Sequence, residues 1–175
     1  MPIKPGTHRL GPHNATLSVE TARKGAAAKA GHDLVMEVTS WEAEVDLAND
    51  PAITLTADGG SLRVREGSGG ITALGDEEKV AIEQTIDDEV LGGATIEFRS
   101  SAFELDPGGT SATVHGELSL GGTSRPISFE VRNEDGRLTG RATLKQSDWG
   151  IKPYSALFGT LKVADEVEVA IDAGL

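Results

Sequence analysis

His32 and Asp33 are the adjacent residues best suited to acid–base chemistry in this sequence. An imidazole beside an orienting carboxylate can act as a general base. Adjacent side chains on an extended strand point to opposite faces, however, so this pair can cooperate only if a turn intervenes. We therefore expect His32 to make a structural or ligand-directed hydrogen bond and assign it no catalytic role.

The other histidines do not form a recognisable metal site. His8 and His13 are five residues apart and His115 lies far along the chain, which is not the spacing of a zinc-binding motif. The chain has no cysteine, which excludes disulfides and thiolate-bound metals. The sequence predicts no metal and no cofactor.

Two further motifs are interpreted as turns. Ser147-Asp148 lacks the matching histidine motif of a nucleophilic enzyme. We expect a turn there, in which Asp148 caps backbone N–H groups before Trp149 packs. Gly67–Gly70 is not followed by the lysine and Ser/Thr of a phosphate-binding loop. No catalytic set is predicted.

The elements that position these residues are predicted to be strands. In Ser111–Val131, two runs of alternating apolar and polar residues flank Gly121-Gly122, which is the pattern of a β-hairpin. A change of phase near Ser40-Trp41 indicates a bulge or a bend at a barrel corner, and Gly59-Gly60 interrupts the following strand. Similar alternation predicts six more strands, at residues 14–22, 34–47, 53–64, 95–103, 137–145 and 166–172.

One helix is predicted, over Asp76–Leu91. Asp76 is placed as its cap, Glu77 and Glu78 suit the first turn, and Gly92 follows its end. Eight successive antiparallel strands close naturally into an up-and-down barrel. We therefore predict an all-β fold, an eight-stranded antiparallel barrel with one short helix, in a single domain of residues 1–175.

Small residues on the expected inner face bear on whether this barrel is hollow. They would leave room for an apolar chain in a barrel wide enough for one small ligand. Alternatively, they only relieve crowding where strands bend, and the pattern leaves both interpretations open. The residues are Ala15, Ala43, Ala57, Ala112, Gly116, Gly140 and Ala142.

Composition excludes several classes of partner. The 175 residues carry a formal charge of −12, which argues against nucleic acid or an anionic membrane as the main partner. No segment approaches transmembrane length, and the amino terminus lacks the apolar stretch of a signal peptide. We expect a soluble, cytoplasmic protein.

Three stretches carry a further signal: Gly31–Val38 with Trp41, His115–Ile127, and Gln146–Ile151 with Val163–Ile171. Together they resemble the YceI-like family of lipocalin-like, polyisoprenoid-binding proteins. Gly31–Val38, followed by Trp41, resembles the family's early histidine strand. His115–Ile127 is similar to the family pattern G-x-L-T-h-x-G-v-T-r-P-v. Gln146–Ile151 is similar to R-S-D-F-G-I, and Val163–Ile171 follows as the closing strand.

The resemblance implies a lipocalin-like antiparallel barrel whose pore takes a long isoprenoid or quinone-like tail, and a tendency to form homodimers. Two positions depart from the family pattern. Asp76–Gly93 has neither the D-x-H-L nor the F-F-D motif, and Gln146 stands where the family commonly has Arg. Both departures concern the barrel mouth, where the head group would lie.

The leading hypothesis is a carrier or storage protein that binds a hydrophobic small molecule inside the barrel. The aromatic and aliphatic segment Trp149–Phe158 is expected to line or cover the entrance, or to plug one end of the barrel. Two alternatives stay open: an enzyme acting on an amphiphile through His32, Asp33 or Asp148, and a scaffold with a side-chain-filled barrel. The expected ligand-binding residues are Leu17, Val19, His32, Leu34, Met36, Val38, Phe98, Val114, Leu118, Phe129, Trp149, Tyr154, Leu157 and Phe158.

Overall fold

The computed structural model describes residues 6–25, 33–47, 50–68, 74–108, 110–156 and 161–174. Fourteen strands occur in this part of the chain: β1 Thr7–Leu10, β2 Ala15–Thr21, β3 Arg23–Lys24, β4 Asp33–Val38, β5 Trp41–Asp46, β6 Ala52–Asp58, β7 Leu62–Ser68, β8 Thr95–Leu105, β9 Ser111–Leu120, β10 Thr123–Glu134, β11 Arg137–Lys145, β12 Ser155–Ala156, β13 Leu161–Val163 and β14 Glu166–Gly174. The helix α1 spans Asp76–Thr85 and continues as a π-helical segment, Ile86–Leu91.

The main sheet is antiparallel, in the order β1-β5-β6-β8-β9-β10-β11-β14-β2-β4-β7. It has eleven strands where the sequence predicted eight, although the all-β class with one helix is confirmed. Two of the extra strands arise because Thr39–Ser40 separates β4 from β5, and Gly59–Ser61 separates β6 from β7. The third is β1, which precedes the predicted strand β2 and joins it through a turn at residues 11–14.

The pairing runs around a complete circuit of eight chain stretches. β2 pairs with both β14 and β4, whereas β1, earlier in the same stretch, pairs with β5. β5 also pairs with β6, and the ladder then continues through β8, β9, β10 and β11 to β14. A sheet curled in this way surrounds an interior onto which every second side chain projects.

The predicted corner at Ser40 is held by side-chain hydrogen bonds. The Oγ of Ser61 accepts the N–H of Ser40 at 3.0 Å and donates to the carbonyl of Asp58 at 2.7 Å. Thr39 Oγ1 donates to the carbonyl of Ser61 at 2.7 Å. Ser61 is 5% exposed, so these bonds replace water for backbone groups that the strand breaks leave without ladder partners.

The predicted extent of the helix agrees with the observed segment, but the predicted cap was wrong. Gly75 is the N-cap, without a side-chain hydrogen bond, and Asp76 is the first helical residue. Gly92 follows in the left-handed conformation, with φ of 60°, as expected for a glycine that ends a helix. The carboxylate of Glu83 accepts the N–H of Val64 at 3.2 Å and thereby fastens α1 to β7.

The helix covers a gap in the wall of the barrel. Within the described residues β7 pairs only with β4, while β8 pairs with β6 and β9, so no ladder joins β7 to β8. Ile82, Ile86 and Leu91 pack against the hydrophobic core beside this gap. α1 and the segment after it therefore complete the enclosure of the interior.

The connections at the two ends of the barrel differ in length. Because neighbouring strands are antiparallel, residues 22–32, 69–94, 121–122 and 146–165 all connect strands at one end. We call this the long-loop end. The opposite end has the shorter connections 47–51, 106–110 and 135–136. Binding sites in barrels tend to lie where long loops collect.

Candidate functional site

An apolar cavity of about 520 Å³ occupies the interior. This volume lies within the roughly 300–1,000 Å³ typical of small-molecule sites. Its wall is formed by inward-facing residues of both halves of the chain and by α1 with the segment after it. An interior of this kind can exclude water from an aliphatic or isoprenoid chain.

Ten of the predicted ligand-binding residues line this cavity. They come from strands β2, β4, β8, β9 and β10 and from the segment after β11, which the topology brings together. These ten residues are Leu17, Val19, Leu34, Met36, Val38, Phe98, Leu118, Phe129, Trp149 and Tyr154. His32, Leu157 and Phe158 lie outside the described residues.

Val114 is the one described residue of the predicted set that does not line the cavity. It is fully buried, at 0% exposure, and lies opposite Phe103 on one neighbouring strand and Phe129 on the other. It packs in a cluster with Phe98, Leu118 and Trp149. Neighbouring side chains cover Val114, so it does not reach the cavity, although Phe98, Leu118 and Trp149 of the same cluster do.

The small inward residues serve both purposes that the sequence left open. Ala43, Ala57, Gly140 and Ala142 line the cavity and give it width. Gly116 instead relieves crowding, because a Cβ there would lie 2.4 Å from the carbonyl oxygen of Arg99 and 2.6 Å from the ring of Phe98.

Part of the wall was not among the predicted binding residues. Ile82, Ile86 and Leu91 line the cavity from α1 and its extension, and Val167, Val169 and Ile171 line it from β14. In the sequence, the alternation of β14 and the modest apolar stripe of the helix are the patterns that could have identified these residues as part of the wall.

Polar wall residues are concentrated at the long-loop end. Thr21, Arg23, Gln146, Tyr154 and Lys162 all belong to strand ends or connections there. A small sheet of β12, β13 and β3 holds several of them in place, with Val163 opposite Arg23. The cavity therefore has an apolar body and one polar end, which suits an amphiphile.

The turn Gln146–Trp149 closes against this end of the barrel. Trp149 is 5% exposed, and its indole N–H donates to the carbonyl of Leu118 at 2.8 Å. The predicted turn and the packing of Trp149 are thus observed, but the predicted capping by Asp148 is not. Its backbone carbonyl accepts a hydrogen bond from Arg125, and the capping carboxylate is Asp165.

Asp165 binds the turn through Ser147. The hydroxyl and the backbone N–H of Ser147 both donate to the Asp165 carboxylate, the N–H at 2.8 Å. These two hydrogen bonds, the hydroxyl's first, lower the pKa of Asp165 below its ordinary value, because they stabilise the ionised form.

Of the residues of the enzyme alternative, His32 lies outside the described residues, and the other two lie outside the cavity. Asp33 accepts the backbone N–H of Arg23, and neither Asp33 nor Asp148 belongs to the cavity wall. Ser128, His115 and Glu104 instead form a row across three strands: His115 Nδ1 and Ser128 Oγ share a hydrogen bond of 2.6 Å, and His115 Nε2 lies 3.3 Å from Glu104 Oε2. These types match a nucleophile, a base and an orienting carboxylate. The row is exposed on the outer face, away from the cavity.

Two features are absent from the described residues. No group of three or more His, Asp or Glu side chains in that part of the chain is placed to hold a metal ion. The same part contains no helix of the length and apolar character needed to cross a membrane.

An antiparallel barrel with an apolar interior cavity defines the lipocalin-like class of folds. A family model described as the YceI-like domain matches residues 89–175, about half of the chain. Through these residues the chain belongs to the YceI-like family, as the sequence motifs predicted. The second and third motifs lie within the match, and the first motif precedes it. No curated protein matches the chain significantly.

Solved structures extend the likeness over most of the fold. BcnA of Burkholderia cenocepacia has a TM-score of 0.64 at 19% identity, covering 90% of this chain and 94% of that chain. The YCEI protein of Campylobacter jejuni has a TM-score of 0.59 at 12% identity, covering 80% and 82%. At these identities the comparison establishes the fold. The barrel therefore includes chain that precedes the matched half.

Proposed function

We propose that this protein binds a long apolar lipid of the isoprenoid or quinone-like kind inside the barrel, as a carrier or store. The observation that carries the proposal is the cavity of about 520 Å³, whose wall is apolar over the body of the barrel. A side-chain-filled scaffold would leave no such space. Membership of the YceI-like family supports the same conclusion.

The energetics favour a long tail. Burial contributes roughly 25 cal/mol per Å² of apolar surface, so each ~100 Å² of tail supplies about 2.5 kcal/mol before the entropic cost of binding is subtracted. A short ligand would leave much of the wall uncovered and lose most of this term. Affinity should therefore rise with tail length until the cavity is filled.

A cavity-blocking variant with a matched control tests the proposal. Ala142 lines the cavity on β11, whereas its neighbour Thr143 is exposed and absent from the cavity wall. Ala142→Phe should lower affinity for geranylgeraniol at least about tenfold, because a ring there takes the place of the tail. Thr143→Phe adds the same ring outside and should bind like the wild type.

Native mass spectrometry with a fluorescence titration measures these affinities, and thermal melting confirms that both variants are folded. Equal loss of binding in the two variants would show that the interior is not the site. Failure of the wild type to bind geranylgeraniol or any longer isoprenoid alcohol would reject the carrier function.

Three expectations from the sequence remain predictions. We propose a cytoplasmic location, homodimer formation and a single domain over residues 1–175. Cell fractionation, light scattering on a sizing column and limited proteolysis test them in turn. A protein found outside the cytoplasm, a monomeric mass or two separately stable fragments would contradict the respective expectation.

A further inference from the structure

We infer that the cavity is closed at the short-loop end and that Leu138 there sets the length of the longest tail that fits. The ligand is then a lipid that enters tail first from the long-loop end and whose tail is limited in length. This inference rests on the proposed lipid-binding function and adds the residue that determines tail-length specificity.

The cavity wall reaches the strand ends at the long-loop end. Thr21 and Leu120, the last residues of β2 and β9, belong to the wall. So do Ile96 and Val167, the second residues of β8 and β14. The cavity therefore extends to the rim at this end, where a polar head group can stay in contact with water.

At the short-loop end, the wall residues close to the strand ends are packed into the core. Val45 is the last residue but one of β5 and Leu138 is the second residue of β11, and they are 4% and 7% exposed. Beyond Val45, Leu47 packs against the same core cluster, and the half-buried Ile53 of β6 packs against both clusters. Among the described residues, side chains packed in this way close the cavity toward the short connections.

Leu138 is the residue at which the cavity ends along β11. In register it lies between Asn133 of β10 and Ala173 of β14, and Ala173 lies opposite Ala15 of β2. Of these four residues, only Leu138 belongs to the cavity wall. In the next row toward the long-loop end all four residues line the cavity: Val131, Gly140, Ile171 and Leu17. The cavity therefore ends between these two rows, at the side chain of Leu138.

The other members of the Leu138 row do not fill the same space. Ala173 and Ala15 have no side-chain atoms beyond Cβ. Asn133 Oδ1 accepts the N–H of Gly136 at 3.2 Å, within the turn between β10 and β11. Leu138→Ala therefore removes the one large apolar side chain of this row, and the space that it leaves adjoins the cavity.

A series of all-trans prenyl alcohols, starting at farnesol and lengthening by one isoprene unit at a time, tests the assignment. In the wild type we expect affinity to rise with each unit up to one length and then to stop rising. Leu138→Ala should raise the affinity for the first alcohol beyond that length about tenfold, because the opened space buries further carbon atoms of the tail. Shorter alcohols do not reach Leu138 and should bind as they do to the wild type.

Leu144→Ala is the matched control. Leu144 lines the cavity from the same strand but lies next to its last residue, at the long-loop end. The substitution removes the same atoms near the opening and should leave the length limit unchanged. If Leu138→Ala does not extend the limit, or if Leu144→Ala extends it equally, the assignment to Leu138 is wrong and the lipid-binding function stands. If no alcohol of the series binds to the wild type, the lipid-binding function itself fails.

A cross-linking experiment on the wild type tests the same assignment without a substitution in the core. The longest alcohol that still gains affinity carries a diazirine on its last isoprene unit, and peptide mass spectrometry maps the adducts. We expect adducts on Leu138 or on its neighbours Ala173 and Ile171. Adducts confined to the long-loop end, such as residues 146–165, would show that the tail does not end at Leu138 and would overturn the inference.

Discussion

The two halves of the barrel are built differently. In the first half, each of the long stretches 7–21, 33–46 and 52–68 is broken into two strands that have different partners. In the second half, β8, β9, β10, β11 and β14 each run as one strand. The chain therefore changes strand partner within each broken stretch, whereas each continuous strand has one set of partners, with one register shift in β8 between Ser100 and Ala102.

This difference indicates which residues each kind of strand requires in the sequence. Continuous strands need the correct alternation, one register shift in β8 between Ser100 and Ala102, and room for close contacts such as the one at Gly116. Broken strands also need partners for the backbone groups at each break: Ser61 supplies them for Ser40 and Asp58, and Asn14 Oδ1 accepts the N–H of Gly11 at the break between β1 and β2. The family model matches only the second half, from residue 89, whereas the fold comparison covers 90% of the chain.

The largest effect is expected in the continuous half, from Gly116→Ala. The added methyl group would lie 2.4 Å from the carbonyl of Arg99, within the β8–β9 ladder. Backbone on one side and the Phe98 ring on the other leave it little room, so we expect a loss of about 3 kcal/mol in the free energy of unfolding. Urea denaturation measures this loss.

Gly174→Ala is the control for that substitution. Its added methyl group meets no atom within 4 Å, so the change should stay within about 0.5 kcal/mol. If both variants unfold at the same urea concentration, the close contact at Gly116 does not limit packing in this half.

A smaller but clear effect is expected in the broken half, from Ser61→Ala. The substitution leaves the Ser40 N–H and the Asp58 carbonyl without their hydrogen-bond partner. We expect a loss of about 2 kcal/mol by urea denaturation, because buried unsatisfied groups cost about 1–3 kcal/mol each. Ser119→Ala, at an exposed hydroxyl of a continuous strand, should cost far less. Equal costs would mean that the breaks need no side-chain support.

The smallest effect concerns pH and the Ser147–Asp165 contact. The depressed pKa of Asp165 contributes stability that is present above the carboxyl's unfolded pKa of about 3.9 and is lost as pH falls through the folded pKa. Asp165→Asn should therefore flatten the acid side of the pH–stability curve. The change is small because this carboxylate is only half-buried, so solvent screens its interactions.

Thermal melts between pH 7 and acid, with Asp148→Asn as the control, test this expectation. Asp148 lies in the same turn, but its side chain makes no capping hydrogen bond. A curve for Asp165→Asn that is as steep as the wild type's would contradict the assignment.

Much of this molecule was predictable because strands reveal their buried face by alternation. That signal identified Leu17, Leu34 and Met36 as inward residues, and all three line the cavity. The phase change near Ser40 likewise predicted the break between β4 and β5. Thr7–Leu10 was missed because four residues with one buried apolar position give no clear period.

Other features depend on contacts that the sequence does not reveal. Ser147 is capped by Asp165, eighteen residues away, because β11 and β14 are paired neighbours. Val114 has the same inward phase as Leu118, yet the phenylalanines beside it fill the space in front of it. Alternation predicts that a side chain points inward, and only packing determines whether it meets a cavity or another side chain.

The central claim is that an apolar tail lies inside the barrel, and a crystal grown with a hexadecanol brominated at its far end tests it most directly. The anomalous signal of bromine locates the end of the tail without reference to the protein's shape. We predict a single peak in the cavity, within contact distance of residues such as Phe98 or Leu138. A peak confined to the outer surface, or none in crystals of a saturated complex, would contradict the claim.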